Sequence, residues 1–306
     1  MNPTAVTRTF DVGAIDIHAT VGSLQMLRGD PTVRITPGRL ERATLTPEGA
    51  ASIRVSWQPD ESSGHATDVV AWGPGAAWLI DRASGLLGLD DDVSGFEPSD
   101  ERVRAVWRRN RHRRLMATRT FWHDLAWFIV QQRVTSEDAG EQWRRLVRAL
   151  GDPAPGPVDL LTPPEPSAVR ALRYDEFHPF GIERNRAEYL REGARLADRF
   201  GSSVDRPYAE VDSKLATVRG FGPWTRSMIA THTWGDADAV IVGDSGIPQM
   251  VCWFLAHEER GTDERMLELL EPYRPHRARI IGLAFASGAQ PPRRRPRGHR
   301  HDIRRR

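Results

Sequence analysis

The chain has 306 residues, with 43 Lys+Arg against 41 Asp+Glu and a formal net charge of +2. With 39% hydrophobic and 27% charged residues it has the composition of a soluble globular protein, not a disordered chain. No apolar run approaches the ~18 residues of a membrane span, and the single Cys252 excludes an internal disulfide, a multi-cysteine zinc site and a four-cysteine iron–sulfur cluster.

The charge is segregated. Residues 1–100 carry 7 Arg and 14 Asp/Glu and sum to −7; residues 291–306 carry 8 Arg and one Asp and sum to +7. That leaves +2 for residues 101–290. Lys214 is the only lysine, so almost no amine is on hand for Schiff-base chemistry. The opening MNPTAVTRTF lacks the charged-then-apolar pattern of a signal peptide, so a cytoplasmic protein is expected.

In chain order, the first 98 residues predict a β-rich domain. Runs with β-branched or alternating character lie at 14–20, 32–36, 52–58 and 67–72. Gly29-Asp30-Pro31, Pro37-Gly38, Pro47-Glu48-Gly49 and Ser63-Gly64 separate them. Residues 76–87 predict one helix laid on that sheet. An acidic linker from Asp90-Asp91-Asp92 to Asp100 follows, and residues 99–290 read as an all-helical domain, giving an α+β protein overall. Residues 120–133, rich in large apolar groups, predict a central buried helix. Residues 136–150 predict an amphipathic one, capped by Thr135 or Ser136. Further helices are expected near 167–175, 183–200, 208–218, 225–233, 246–257, 263–270 and 277–287. Residues 291–306 read as a disordered, arginine-rich tail. The eight arginines in 102–119, with Trp107 among them, suit either a basic groove tracking DNA or a solvated helix face.

The most informative stretch is 215–249. A helix ends near Val218, Arg219-Gly220-Phe221-Gly222-Pro223 makes a tight turn, and a second helix starts at Trp224 or Thr225. Glycines permit backbone that a Cβ penalises and leave N–H groups open to an anion at a helix start. Phe221 is expected to point inward. Alone, the turn is as well explained by a plain helix connector. Twenty residues after Trp224, however, Asp244 closes an apolar run and precedes another helix.

Gly220-Phe221-Gly222-Pro223-Trp224-Thr225, the apolar run and Asp244 resemble the helix–hairpin–helix DNA glycosylases. Within them the chain is most similar to the DNA-3-methyladenine glycosylase II (alkyl-base) family, in its actinobacterial-type branch. The segments Val130-Gln131-Gln132-Arg133-Val134-Thr135, 261–270 and 270–277 extend the resemblance. It implies a monofunctional enzyme acting on double-stranded DNA that contains a damaged base, as a monomer, in the bacterial cytoplasm at the nucleoid. No cofactor is expected; the resemblance allows a monovalent cation on the hairpin carbonyls. The ten histidines show no HExxH pattern or Cys/His pairing, so no protein metal site is expected.

The resemblance assigns roles residue by residue. Asp244 becomes the catalytic carboxylate that stabilises positive charge on the sugar and orients water; the structural alternative, a helix cap, is compatible with this. Trp224, Met228, Trp122 and Phe285 become walls of the base pocket. Gln132, Arg133 and Val134 become the loop that fills the vacated stack, with Arg133 as wedge and Gln132 on the opposite base; an exposed helix end explains them equally. Gly220, Phe221, Gly222, Thr225, Arg184 and Arg186 become phosphate contacts. Trp224 stands where strand-nicking relatives place a lysine. The sequence departs from the family at Met228, in place of a stacking tyrosine, at Ala284, in place of an aromatic, at Ser245-Gly246, and at Arg219, in place of a proline. Two other readings stay open: a glycosylase for a deaminated or oxidised base, and a non-catalytic DNA-binding protein.

Overall fold

A computed structural model describes residues 5–25, 29–58 and 66–292. The expected break at Ser63-Gly64 and nearly all of the arginine-rich tail lie outside these residues.

Five strands form one antiparallel sheet in the order β1-β5-β4-β3-β2. They are β1 (Val6–Asp11), β2 (Val33–Thr36), β3 (Arg39–Thr46), β4 (Gly49–Ser56) and β5 (Ala66–Trp72). β3 and β4 form a hairpin with Thr46 opposite Gly49, so Pro47 and Glu48 make its tip. Leu40, Ile53, Val55, Val69 and Ala71 are buried. Two strands were not expected. β1 is an edge strand, mostly exposed, and β3 reads RLERATLT, whose charges break the apolar pattern. Two of them, Glu41 and Arg42, are buried because each finds a partner: Arg54 pairs with Glu41 at 2.8 Å, and Arg42 with Asp124 at 3.1 Å.

Two other expectations change. Residues 14–20 hold a short helix, α1 (Ile17–Val21), because the Asp16 carboxylate accepts the Ala19 N–H and caps it. The single helix expected over 76–87 is two, α2 (Ala76–Asp81) and α3 (Ala83–Leu86). They break at Arg82, whose guanidinium lies over the Trp78 ring and reaches Asp205. α2 packs against β1, β4 and β5.

Beyond Asp100 the described chain is helical: α4 (Glu101–Asn110), α5 (Phe121–Gln131), α6 (Ser136–Leu150), α7 (Pro166–Ala171), α8 (Arg184–Gly201), α9 (Tyr208–Leu215), α10 (Pro223–Ile229), α11 (Ile247–Ala256), α12 (Asp263–Leu270) and α13 (Arg277–Ala286). Thr135 caps α6, as expected, by accepting the Asp138 N–H. α10 runs straight on into a π-helical turn over Ala230–Trp234. α5 is central: nine of its eleven residues are buried, and it packs on α6, α8, α10 and β3. Each large apolar side chain buried there contributes about 1.5–3 kcal/mol. Among the described residues no helix is long and apolar enough to cross a membrane.

The sheet and the helices share one hydrophobic core. A buried polar network also joins them. Arg42 donates to Thr120 and Asp124, and the other oxygen of Asp124 accepts from Thr118 and Thr233. Burial and the adjacent Arg42 hold His123 well below the usual histidine pKa, so its ring is neutral. Its Nδ1 faces Arg42 and Thr44, and its Nε2 faces Thr32. Since arginine can only donate, the proton sits on Nε2.

Candidate active site

α9 and α10 form the hairpin. Arg226 on α10 contacts both carboxylate oxygens of Asp212 on α9 at 2.6 Å, and the Tyr208 hydroxyl lies 2.9 Å from the same carboxylate. Burial, with Asp212 alongside, pushes the Tyr208 phenol well above its usual pKa. The Phe221 ring is buried and points inward, as expected. The two glycines differ. Gly220 has φ +91°, and a Cβ there would lie 2.3 Å from the Tyr189 ring. Gly222 has φ −65° and open space around it, so its backbone needs no glycine. The missing side chain leaves that surface bare at the first turn of α10, where N–H groups lack intrahelical acceptors.

Asp244 sits against this hairpin, and both line one cleft. Its Oδ1 accepts the N–H groups of Gly246 (2.7 Å) and Ile247 (2.9 Å), which anchors it at the start of α11. Its Oδ2 accepts the Trp224 indole N–H at 3.0 Å. Asp244 is not the N-cap of α11, a position held by Gly246; it lies two residues earlier, where one oxygen holds the entry to the helix and the other meets the hairpin tryptophan. Asp263 also serves this loop. Its Oδ2 accepts the Gly243 N–H at 2.8 Å, at a residue with φ +78° directly before Asp244. The Oδ1 of Asp263 is buried without a hydrogen-bond partner among the described residues. Nothing local in the sequence marks Asp263, which lies nineteen positions beyond Asp244.

The cleft encloses about 1940 Å³ and is lined by Trp224, Met228, His232, Asp244, Phe285 and Arg133, among others. Phe285 is 55% exposed. Phe128 buttresses the wall, edge-on to Trp224 at 6.3 Å and to His232 at 5.1 Å. His232 carried no signal in the sequence.

The loop after α5 enters the same cleft. Arg133 is exposed there with φ +58°, a conformation that costs a non-glycine residue about 1–3 kcal/mol. Val134 packs beside it, half-buried. Gln132 is not free: its amide N–H₂ donates to the Gly220 carbonyl (3.0 Å) and to the Thr225 hydroxyl (2.8 Å). It straps this loop to the hairpin. The Thr225 side chain is thereby buried and engaged, which leaves only its backbone N–H for a phosphate.

Three expected site residues lie elsewhere. Trp122 is buried away from the cleft, and its indole N–H donates to the Pro164 carbonyl at 2.8 Å. Arg186 is 3% exposed; it holds Glu183, Gln142 and the carbonyls of Val130 and Gly181. It is a structural strut, not a phosphate contact. Arg184 is exposed, but it pairs with Glu188 and does not line the cleft. Several arginines of 102–119 are also committed. Arg102, Arg104, Arg114 and Arg119 donate to backbone carbonyls.

Residues 126–275 match the family model described as "HhH-GPD superfamily base excision DNA repair protein". Over 163 residues the chain is 22% identical to a Bacillus subtilis (strain 168) protein named "Putative DNA-3-methyladenine glycosylase YfjP". That match covers 52% of this chain and 54% of the relative, so the chain spans about half the length of this curated relative. The solved 3-methyladenine DNA-glycosylase from Archaeoglobus fulgidus aligns with a TM-score of 0.75 at 18% identity, covering 92% of this chain and 99% of that one. The Clostridium acetobutylicum 8-oxoguanine glycosylase/lyase, in complex with double-stranded DNA, aligns with a TM-score of 0.66 at 12% identity, covering 94% and 98%. At such identities these structures establish a shared fold.

Proposed function

We propose that the chain, whose residues 126–275 match the model of HhH-GPD superfamily base excision DNA repair proteins, is a monofunctional DNA glycosylase that removes alkylated purines. The observation that carries this reading is the Asp244 carboxylate set against the hairpin in an aromatic-walled cleft and held there by Trp224. A base buried in the duplex must be extruded, at a cost of a few kcal/mol, before such a site can reach it. As the bond to the sugar breaks, the sugar becomes cationic. Asp244 stabilises that charge and orients water. The Trp224 face attracts a cationic purine by ~0.5–2 kcal/mol, and such a purine leaves without a dedicated general acid. The relatives named for 3-methyladenine support this substrate class; those named for 8-oxoguanine support an oxidised base as the second reading.

In this reading the enzyme works as a monomer on double-stranded DNA, in the cytoplasm. Gly220 and Gly222 present the hairpin backbone to one phosphate. Arg133, held in a strained conformation at the cleft, enters the vacated stack, and Gln132 holds its loop in place. The monofunctional character rests on Trp224 at the hairpin position where lyases carry an amine, and on Lys214, which is exposed on α9 and outside the cleft.

The test is a panel of duplexes, each with one modified base. Treatment with protein is expected to give strand breaks at alkylated purines after alkali only, with no borohydride-trapped protein–DNA adduct. A trapped adduct would mean Schiff-base chemistry and reject the monofunctional reading. Breaks at 8-oxoguanine alone would favour the second reading. A further expectation concerns residues 293–306, which follow directly on Pro292 at the cleft. Deleting them is expected to weaken DNA binding and flatten its dependence on salt, with base excision at saturating protein unchanged. An unchanged salt slope rejects a tethering role.

A further inference from the structure

Trp224, Met228 and His232 are spaced by four residues, so they share one face of a helix. The run from α10 into the π turn keeps them together: all three line the cleft that holds Asp244. Trp224 is engaged with Asp244, and Met228 offers a soft apolar surface. His232 is the polar member of the stripe. Its ring packs edge-on against Phe128, and its backbone carbonyl accepts the Thr118 N–H at 2.9 Å. The ring and its backbone are thus fixed, yet its nitrogens have no hydrogen-bond partner among the described residues. Neither ring nitrogen is among the buried atoms that lack a partner, so both open onto the cleft and can pair with a group that enters it.

We propose that His232 reads the polar edge of the extruded purine and so sets which lesions the cleft accepts; this rests on the glycosylase reading above. An imidazole has one donor and one acceptor when neutral, enough for a hydrogen bond to a ring nitrogen or an exocyclic group of a purine. Burial lowers its pKa below the usual histidine range; Arg42 adds to this and Asp124 opposes it. The ring is therefore uncharged at neutral pH. It brings a hydrogen bond into an aromatic and apolar wall without bringing positive charge. That combination suits a cationic N-alkylpurine, which an imidazolium would repel.

The test measures kcat/KM on duplexes carrying 7-methylguanine, which is cationic, or hypoxanthine, a neutral purine. His232→Leu keeps the bulk and removes the hydrogen bond. It is expected to lose about tenfold to a hundredfold on the preferred lesion, with affinity for an abasic-site duplex unchanged. His232→Gln, which restores a donor and an acceptor, is expected to recover most of that loss. His232→Lys is expected to lose more on 7-methylguanine than on hypoxanthine, a change of ratio that a merely structural role would not produce. His232→Leu matching an active wild type on both lesions would overturn the proposal. So would an equal loss on both lesions in all three variants. A wild type that releases no base from any duplex would overturn the glycosylase reading and this proposal together.

Discussion

Asp244→Asn is expected to cut base excision by about 10²–10³-fold or more, the scale of losing a preorganised electrostatic contact in a water-poor site. The fold should survive, because the asparagine carbonyl can still accept the N–H groups of Gly246 and Ile247 that the aspartate now holds. On the other side, the new amide N–H₂ faces the Trp224 indole N–H, donor against donor. Trp224 therefore loses its partner as well as the pocket its charge. Single-turnover excision reads the chemical step, and fluorescence anisotropy with an abasic-site duplex reads binding. The expected pattern is a lost rate with binding within a few-fold. Asp244→Ala also removes the acceptor of the Gly246 and Ile247 N–H groups, a charged hydrogen bond being worth about 1.5–3 kcal/mol, so it should unfold at lower denaturant than Asp244→Asn while being no less inactive. Excision retained by Asp244→Asn would remove this residue from the chemistry.

The second large effect is at Gly220. A Cβ there would collide with the Tyr189 ring, on a backbone with φ +91° that side chains avoid. The strained conformation costs about 1–2 kcal/mol and the overpacking about 1–3 kcal/mol more. Gly220→Ala is therefore expected to lower the unfolding midpoint and to weaken DNA binding at least tenfold, although it lies away from Asp244. Adding Tyr189→Ala relieves the clash but not the backbone strain, so the pair should recover stability only in part. Equal DNA affinity for wild type and Gly220→Ala would show that the turn does not hold the DNA. Gly222→Ala is the contrast. It meets no steric obstacle, so any loss there reports on contact with DNA.

What was legible in the sequence was what depends on neighbours along the chain. The cap at Thr135, the inward Phe221 and the spacing from Trp224 to Asp244 are all of this kind. What was hidden depends on partners far along the chain. β3 was missed because Glu41 and Arg42 break its pattern, and their partners are Arg54 on the next strand and Asp124 on α5. Gln132 belongs to the loop after α5, but its amide reaches the hairpin almost ninety residues on. Arg184 and Arg186 looked equivalent, yet two residues apart on α8 they face different ways, and only Arg186 turns inward. Trp122 sits on a helix that is apolar nearly all round, so periodicity could not tell which face met the cleft. His232 depends on a π turn, which has no local signature in the sequence.

The charge segregation also reads differently with the fold in hand. The acidic first third holds the sheet, and most of the cleft's lining comes from the near-neutral middle of the chain. Within that middle many arginines are struts: Arg186, Arg226, Arg277 and Arg279 all hold carboxylates in the fold. Arg133, by contrast, is exposed in the cleft.

Hydrolysis of the bond between an alkylated purine and its sugar is the activity expected of the wild-type chain. The most direct measurement is mass spectrometry of the base released from a duplex with a single 7-methylguanine, before any alkali. Wild type is expected to give free 7-methylguanine and an intact strand bearing an abasic site, and Asp244→Asn to give both at least about 10²-fold more slowly. No released base from wild type, or equal release by the variant, would contradict that expectation.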